Sequence, residues 1–254
     1  MTTYKVVLEY DGSRYSGWQE QVNAKTVMGE LRKAAVEVFG GPVEMQGAGR
    51  TDAGVHALGQ VVHIKVAKAV REDNSKSLCL RLNERLPADI ATLVVEKAHR
   101  GFHARHDAVG RVYLYQISKR KQAFTKKLVW WVKEELDVEA MARAAHTLVG
   151  RHDFAAFREA DPSRPGESTI VVVHRAEIET GEDIIQFRIE ASHFLWRMAR
   201  RIVGVLVQIG RGAIKEEDLA LLLSGKRDPR LDVAAWTAPA AGLFLERVFY
   251  EAQS

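Results

Sequence analysis

Two strand-like runs, Ile170–Ile178 and Ile184–Ala191, are joined through Gly181 by a turn too short to hold a crossover helix. Such a link makes the two strands pair antiparallel. Other runs also read as strands: Lys5–Tyr10, Val43–Gln46, Gln60–Val66, Ile90–Lys97, Arg111–Ser118 and Leu243–Tyr250. Arg111–Ser118 alternates, with Val112, Leu114 and Gln116 on one side and Tyr113, Tyr115 and Ile117 on the other. Helices come between these runs. Thr26 caps one that extends to about Val38, with Val27, Leu31, Ala34, Ala35 and Val38 on its apolar face, and Gly40-Gly41-Pro42 stops it. Ser75–Leu86 (closed by Pro87), Val138–Val149, Phe194–Ile209 and Glu216–Leu223 also read as helices. Asp161–Ser168, polar with two prolines and a glycine, reads as a mobile loop. Strands that follow one another without helical crossovers predict an α+β class. The order starts again after Gly110, which predicts two domains, 1–109 and 110–254. Each is expected to carry a mostly antiparallel sheet with helices on one face.

The segment with most chemistry is Gly47-Ala48-Gly49-Arg50-Thr51-Asp52-Ala53-Gly54-Val55-His56-Ala57. From Met45 through Arg71, Asp52 is the only acidic residue, while Arg50, Lys65, Lys68 and Arg71 are basic. Cations around a lone carboxylate favour its ionised form. An ionised Asp52 suits a nucleophile or base better than a general acid. The plain alternative is a turn carboxylate that caps local backbone. A phosphate-cradling loop fits poorly, because no Gly-Lys-Ser/Thr follows and an anionic Asp52 repels phosphate. The dinucleotide-binding glycine spacing is also missing. A metal site built from Asp52 with His56, His63, His103 and His106 lacks any recognised ligand spacing.

Charge is uneven along the chain. The formal net charge of its 254 residues is only +4. Ala108–Lys133 nevertheless holds Arg111, Lys119, Arg120, Lys121, Lys126, Lys127 and Lys133 with no acid. Ala191–Lys215 holds Arg197, Arg200, Arg201, Arg211 and Lys215, again with no acid. These stretches either fold into one positive surface for a polyanion or remain separate solvated faces. Cys79 is the only cysteine, which excludes an internal disulfide and a thiolate metal cluster. The opening Met1-Thr2-Thr3-Tyr4-Lys5 is strand-like and lacks a signal-peptide core, and no apolar run has the length of a membrane span. A reducing, cytoplasmic setting is expected.

The order of residues around Asp52 resembles the catalytic loop of the tRNA pseudouridine synthase A family. The resemblance runs along nearly the whole chain. It includes Tyr10-Asp11-Gly12 with Gly17-Trp18-Gln19 and Gln21, then Asn83 with Leu86-Pro87 and Asp89-Ile90. Phe102-His103-Ala104-Arg105 before Arg111-Val112-Tyr113-Leu114-Tyr115 is similar to a second hallmark, and Gly150-Arg151-His152-Asp153-Phe154 with Phe157-Arg158 to a third. Phe194-Leu195, Met198, Arg200 and Ile202-Val203-Gly204 follow the family's helix pattern, and Ala238–Leu245 its C-terminal one. Departures are Met28 in place of the usual glutamine, no arginine after Thr169, and the variants Trp196-Arg197 and Arg201.

The resemblance implies a pseudouridine synthase fold with an RNA-binding cleft between its domains, and Asp52 as the catalytic aspartate. It implies that Arg50 helps flip the target base and fills its place, that Tyr113 packs against the uracil, and that Arg200 pairs with the aspartate. The implied substrate is the anticodon stem-loop of tRNA, modified at neighbouring uridines on its 3′ side, and the implied assembly is a homodimer. Uridine isomerisation breaks a C–N glycosidic bond and makes a C–C bond without redox change, so no cofactor and no metal are expected. Asp52 could attack C6 of the uracil or the anomeric carbon, or abstract a ribose proton. By their residue types alone, Tyr113 reads as half-core and Arg200 as a snorkelling or ion-paired residue. The rival classes are an RNA-binding or tRNA-folding module without catalysis and a histidine-based metal hydrolase.

Overall fold

The computed structural model describes residues 1–70, 74–160, 166–226 and 228–251. Residues 161–165, most of the segment read as a mobile loop, lie outside them. In chain order the strands and helices of the first half are β1 (Thr2–Tyr10), α1 (Val27–Phe39), β2 (Glu44–Gly47), β3 (His56–Val66), α2 (Ser75–Asn83) and β4 (Ile90–Lys97). Then come β5 (Ala108–Ser118), β6 (Trp130–Trp131), α3 (Val138–His146), β7 (Gly150–Asp153), β8 (Ile170–Thr180) and β9 (Ile184–Ala191). Helices α4 (Met198–Gly210) and α5 (Glu216–Leu223) and strand β10 (Leu243–Tyr250) finish the chain. The mix of strands and helices is α+β. Two compact units form, Met1–Val109 with Phe244–Ser254, and Gly110–Leu243.

In the first unit β1 pairs antiparallel with β3 on one side and with β4 on the other. Its alternate residues Tyr4, Val6, Leu8 and Tyr10 are buried, as the period of a strand requires. Helix α1 forms where the sequence places it. The Thr26 side chain accepts the Gly29 N–H, and Gly40 ends the helix at φ +70°. The expected apolar face is buried, joined by Met28, and the Phe39 ring lies 5.0 Å from that of Tyr4. Burying a side chain such as Leu31 contributes about 1.5–3 kcal/mol.

The expected second domain differs at its end. Strand β10 joins the first unit, pairing in parallel with β3 at Phe244↔His56 and Leu245↔Ala57. The His56 and Phe244 rings stack at 4.7 Å, so buried ring contact accompanies the ladder.

The second unit is an antiparallel sheet in the order β5-β9-β8-β7, with β6 parallel along β5. The hairpin expected from Gly181 is present as β8–β9. Helix α3 packs against β8 and α4. Helix α4 starts at Met198 rather than Phe194, because Arg197 before it sits at φ +61°, outside helical geometry. It is buried on nearly all sides, as its apolar sequence allows. Among the described residues no helix is long and apolar enough to cross a membrane.

One buried polar group gives the first unit a pH dependence. His63 on β3 is buried, and its Nδ1 accepts the Ala104 N–H at 3.1 Å. Burial first, then coupling to the titrating His103 and the charge of Lys65, pushes its pKa down to about 4, against opposition from Glu44 and Asp107. An unfolded histidine titrates near 6.5, so the unfolded chain takes the proton first as pH falls. The stability is complete above 6.5 and is lost as pH drops toward about 4. Urea unfolding at pH 7.5 and pH 5 is expected to show a loss of about 2 kcal/mol from this group. His63→Gln should lose that much less; equal losses in both proteins would remove His63 as the cause.

Candidate active site

The link between β2 and β3, residues 48–55, carries Arg50 and Asp52. Its geometry is fixed by polar groups from three directions. The Ala48 N–H donates to the Val61 carbonyl at 2.7 Å, prolonging the β2–β3 ladder by one step. The side chain of Gln60, fully buried, donates Nε2–H to the Gly49 carbonyl at 3.0 Å. The Trp18 N–H donates to the Thr51 carbonyl at 3.0 Å, and the Thr51 and Tyr10 hydroxyls share a buried hydrogen bond of 2.8 Å. The Val55 N–H returns to the Asp52 carbonyl at 3.1 Å, closing a turn. Gly54 occupies that turn at φ +78°, a conformation L side chains avoid.

The turn rests on the segment after β1. Gly12 lies so close that a Cβ there would meet the Val55 carbonyl oxygen at 1.9 Å. The Gly12 N–H donates to His56 Nδ1 at 3.1 Å, and Asp11 Oδ1 lies 3.1 Å from the same nitrogen. Asp11 in turn accepts from the Ser13 N–H. Met28 donates its N–H to the Trp18 carbonyl, and its sulfur accepts from Gln19 at 3.9 Å. On this base Asp52 is half-buried and Arg50 is exposed. A carboxylate and a guanidinium two residues apart on one fixed loop can present a nucleophile beside a cation.

The other expected site residues stand in the second unit. Tyr113 on β5 is buried, opposite Ile189 of β9, with its ring edge-on to Phe194 at 4.7 Å. Arg200, in the first turn of α4, donates Nε–H to the Ala238 carbonyl at 2.7 Å, while the Ala238 N–H donates to the Arg200 carbonyl at 3.1 Å. Next to it the Tyr115 hydroxyl donates to the Pro239 carbonyl, and burial pushes its pKa up against the pull of Arg200. Arg50 and Asp52 thus share one loop in the first unit, and Tyr113 and Arg200 belong to the second.

The histidines do other work. His103 Nδ1 accepts the N–H groups of Arg105 and His106, and its Nε2 meets Gln46 Oε1 at 3.1 Å, which fixes a neutral ring with the proton on Nε2. Burial lowers its pKa in agreement. Among the described residues no three His, Cys, Asp or Glu side chains gather as metal ligands would. The acid-poor stretches are not acid-poor in space: Arg120 pairs with Asp183, Arg211 with Glu134, and Arg197 and Arg201 with Glu159. Arg201 is buried and also donates to the Arg158 carbonyl, so it holds the 158–159 backbone. Sequence reading missed Gln60 and the Tyr10–Thr51 pair. Tyr10-Asp11-Gly12 was the one visible sign of the latter.

The family model described as tRNA pseudouridine synthase matches residues 6–107 and 144–251. The chain belongs to the tRNA pseudouridine synthase family. The matched residues include Arg50, Asp52 and Arg200, and Tyr113 falls outside them. The protein of Thermoanaerobacter sp. (strain X514) called tRNA pseudouridine synthase A is 39% identical over 252 residues, covering 98% of this chain and all of that one. The Hyphomonas neptunium protein of the same name is 38% identical over 255 residues, covering 99% of this chain and all of its own. The Acetivibrio thermocellus one is 36% identical, with 98% and 100% covered.

The packing under the loop separates two glycines, Gly12 beneath it and Gly49 within it. Gly12→Ala drives a Cβ into the Val55 carbonyl and is expected to cost about 1–3 kcal/mol or more. Gly49→Ala meets nothing within 4 Å and should stay within about 0.5 kcal/mol of wild type. Urea midpoints of the two variants check this, and equal destabilisation would refute the packing account.

Proposed function

We propose that this protein isomerises uridine to pseudouridine in tRNA, at neighbouring uridines on the 3′ side of the anticodon stem-loop. Membership of the tRNA pseudouridine synthase family, with the match running through the Asp52 loop, is the observation that carries this reading. The reaction breaks the bond from the ribose anomeric carbon to N1, turns the uracil, and joins the same carbon to C5. The C5 proton leaves and N1 gains one, so atoms and electrons balance within the nucleoside.

In this reading Asp52 is the nucleophile or base, presented on a turn whose backbone is bonded on both sides. Arg50 is exposed beside it, free to swing toward a helix and hold the place of the departing base. A guanidinium can stack on bases and bond phosphate from one position, which fits it to that role. Taking a base out of its stack costs a few kcal/mol, so a residue that fills the gap lowers the barrier. Tyr113 offers its ring to the uracil, already held edge-on by Phe194. Arg200 is assigned to the aspartate's charge. The substrate is tRNA, the enzyme acts in the cytoplasm, and it works as a homodimer.

Unmodified tRNA transcript incubated with the protein, then mapped chemically for pseudouridine, tests the reading. Asp52→Asn is expected to abolish product while keeping tRNA affinity within a few fold. Wild-type turnover by that variant would refute the role of Asp52. Arg50→Ala should slow a single turnover by roughly 10-fold or more; an unchanged rate takes Arg50 out of base flipping. Full activity in metal-free protein with chelator present is expected and would dismiss a metal hydrolase.

A further inference from the structure

We infer that Tyr10 is a positioning residue for the reaction: through the hydroxyl of Thr51 it sets the direction of the Asp52 carboxylate. The inference rests on Asp52 as the reacting group.

The geometry begins at the end of β1. The β1–β3 register shifts between Leu8 and Tyr10, which brings Tyr10 opposite Ala57. Its ring is buried and stacks on Trp18, centroids 6.0 Å apart and 29° from parallel. From there its hydroxyl reaches Thr51 Oγ1 at 2.8 Å. Thr51 is itself buried, and its carbonyl accepts from the Trp18 N–H. The two residues that stack on each other therefore grip the side chain and the carbonyl of the same threonine.

That grip reaches the carboxylate by covalent geometry. The peptide between Thr51 and Asp52 is planar, so few soft torsions separate the pinned threonine from the aspartate Cα. On the far side, the Asp52 carbonyl is held by the Val55 N–H. With backbone fixed on both sides, the Asp52 Cα and the direction in which its side chain leaves the loop are set. Removing the Tyr10 hydroxyl leaves that of Thr51 buried without this partner, and the backbone is then drawn toward other donors and acceptors. Misplacing a reacting group by about 1 Å can cost on the order of 100-fold in rate.

The test uses the full chain and unmodified tRNA transcript, with enzyme in excess so that one turnover is timed. Tyr10→Phe removes the hydroxyl and keeps the stacked ring, and Thr51→Val replaces the hydroxyl with a methyl of similar size and keeps the branching at Cβ. Each is expected to lower the single-turnover rate constant roughly 10- to 100-fold, with the dissociation constant for tRNA within about threefold. The double variant should be no slower than the slower single one, because both break one interaction. Thr51→Ser, which restores the hydroxyl, should recover most of the rate. A purely structural role would instead reduce the active fraction and lower the melting temperature while leaving the rate constant unchanged.

A wild-type rate constant in Tyr10→Phe overturns the inference. So do losses that multiply in the double variant, or a Thr51→Ser as slow as Thr51→Val. Should Tyr10→Phe fail to fold, the Thr51→Val and Thr51→Ser comparison decides alone. Asp52→Asn in the same assay separates the two levels. If it is inactive while Tyr10→Phe is normal, only the positioning role falls; if it turns over, the catalytic reading of Asp52 falls and this inference with it.

Discussion

The Trp18 N–H donates to the Thr51 carbonyl, and beside it Tyr10 meets the Thr51 hydroxyl. Around these two bonds the rest of the first unit is arranged. Strand β1 delivers Tyr10, the turn after it delivers Gly12 beneath Val55, and the start of α1 ties back to Trp18 through Met28. The sheet alone would leave residues 48–55 as an open connection. Buried hydrogen bonds turn that connection into a fixed platform, because a polar group shut away from water is costly unless its partner stays in place.

Local features of the fold were legible from residues close in sequence. Helix α1 follows from a threonine cap, an apolar stripe and a left-handed glycine, all within a few turns of one another. Strand β10 was placed at its observed boundaries, yet its neighbour was not foreseen, since a strand's pattern records its faces and not its partner. The start of α4 was misplaced because Arg197 takes a positive φ without the glycine that usually marks one. Acid-free runs left both one positive surface and separate solvated faces open, and they did not show that Asp183, Glu134 and Glu159 arrive from elsewhere in the chain to meet some of those cations.

At the site the same division holds. Asp52 and Arg50 were visible because one short motif carries both. Tyr10 and Thr51 lie 41 residues apart, and Gln60 reaches back 11 residues to the Gly49 carbonyl, so folding alone makes these neighbours. The histidines around Ala104 show how residue type misleads. Imidazole invites a catalytic or metal reading, but here His63 and His103 spend their ring nitrogens on backbone N–H groups and a carboxamide. Neutral rings serve that purpose, and burial keeps them neutral.

The parallel contact of β10 with β3 has an outcome in the order of synthesis. The unit that bears the Asp52 loop is built from two stretches of chain on either side of the other unit, Phe244 stacking on His56 at the foot of that loop. A growing chain on the ribosome carries all the loop's chemistry long before it has the piece that seals it. The surroundings of the loop are thereby completed only after the intervening unit has been made, and that unit folds as an insertion within an unfinished one.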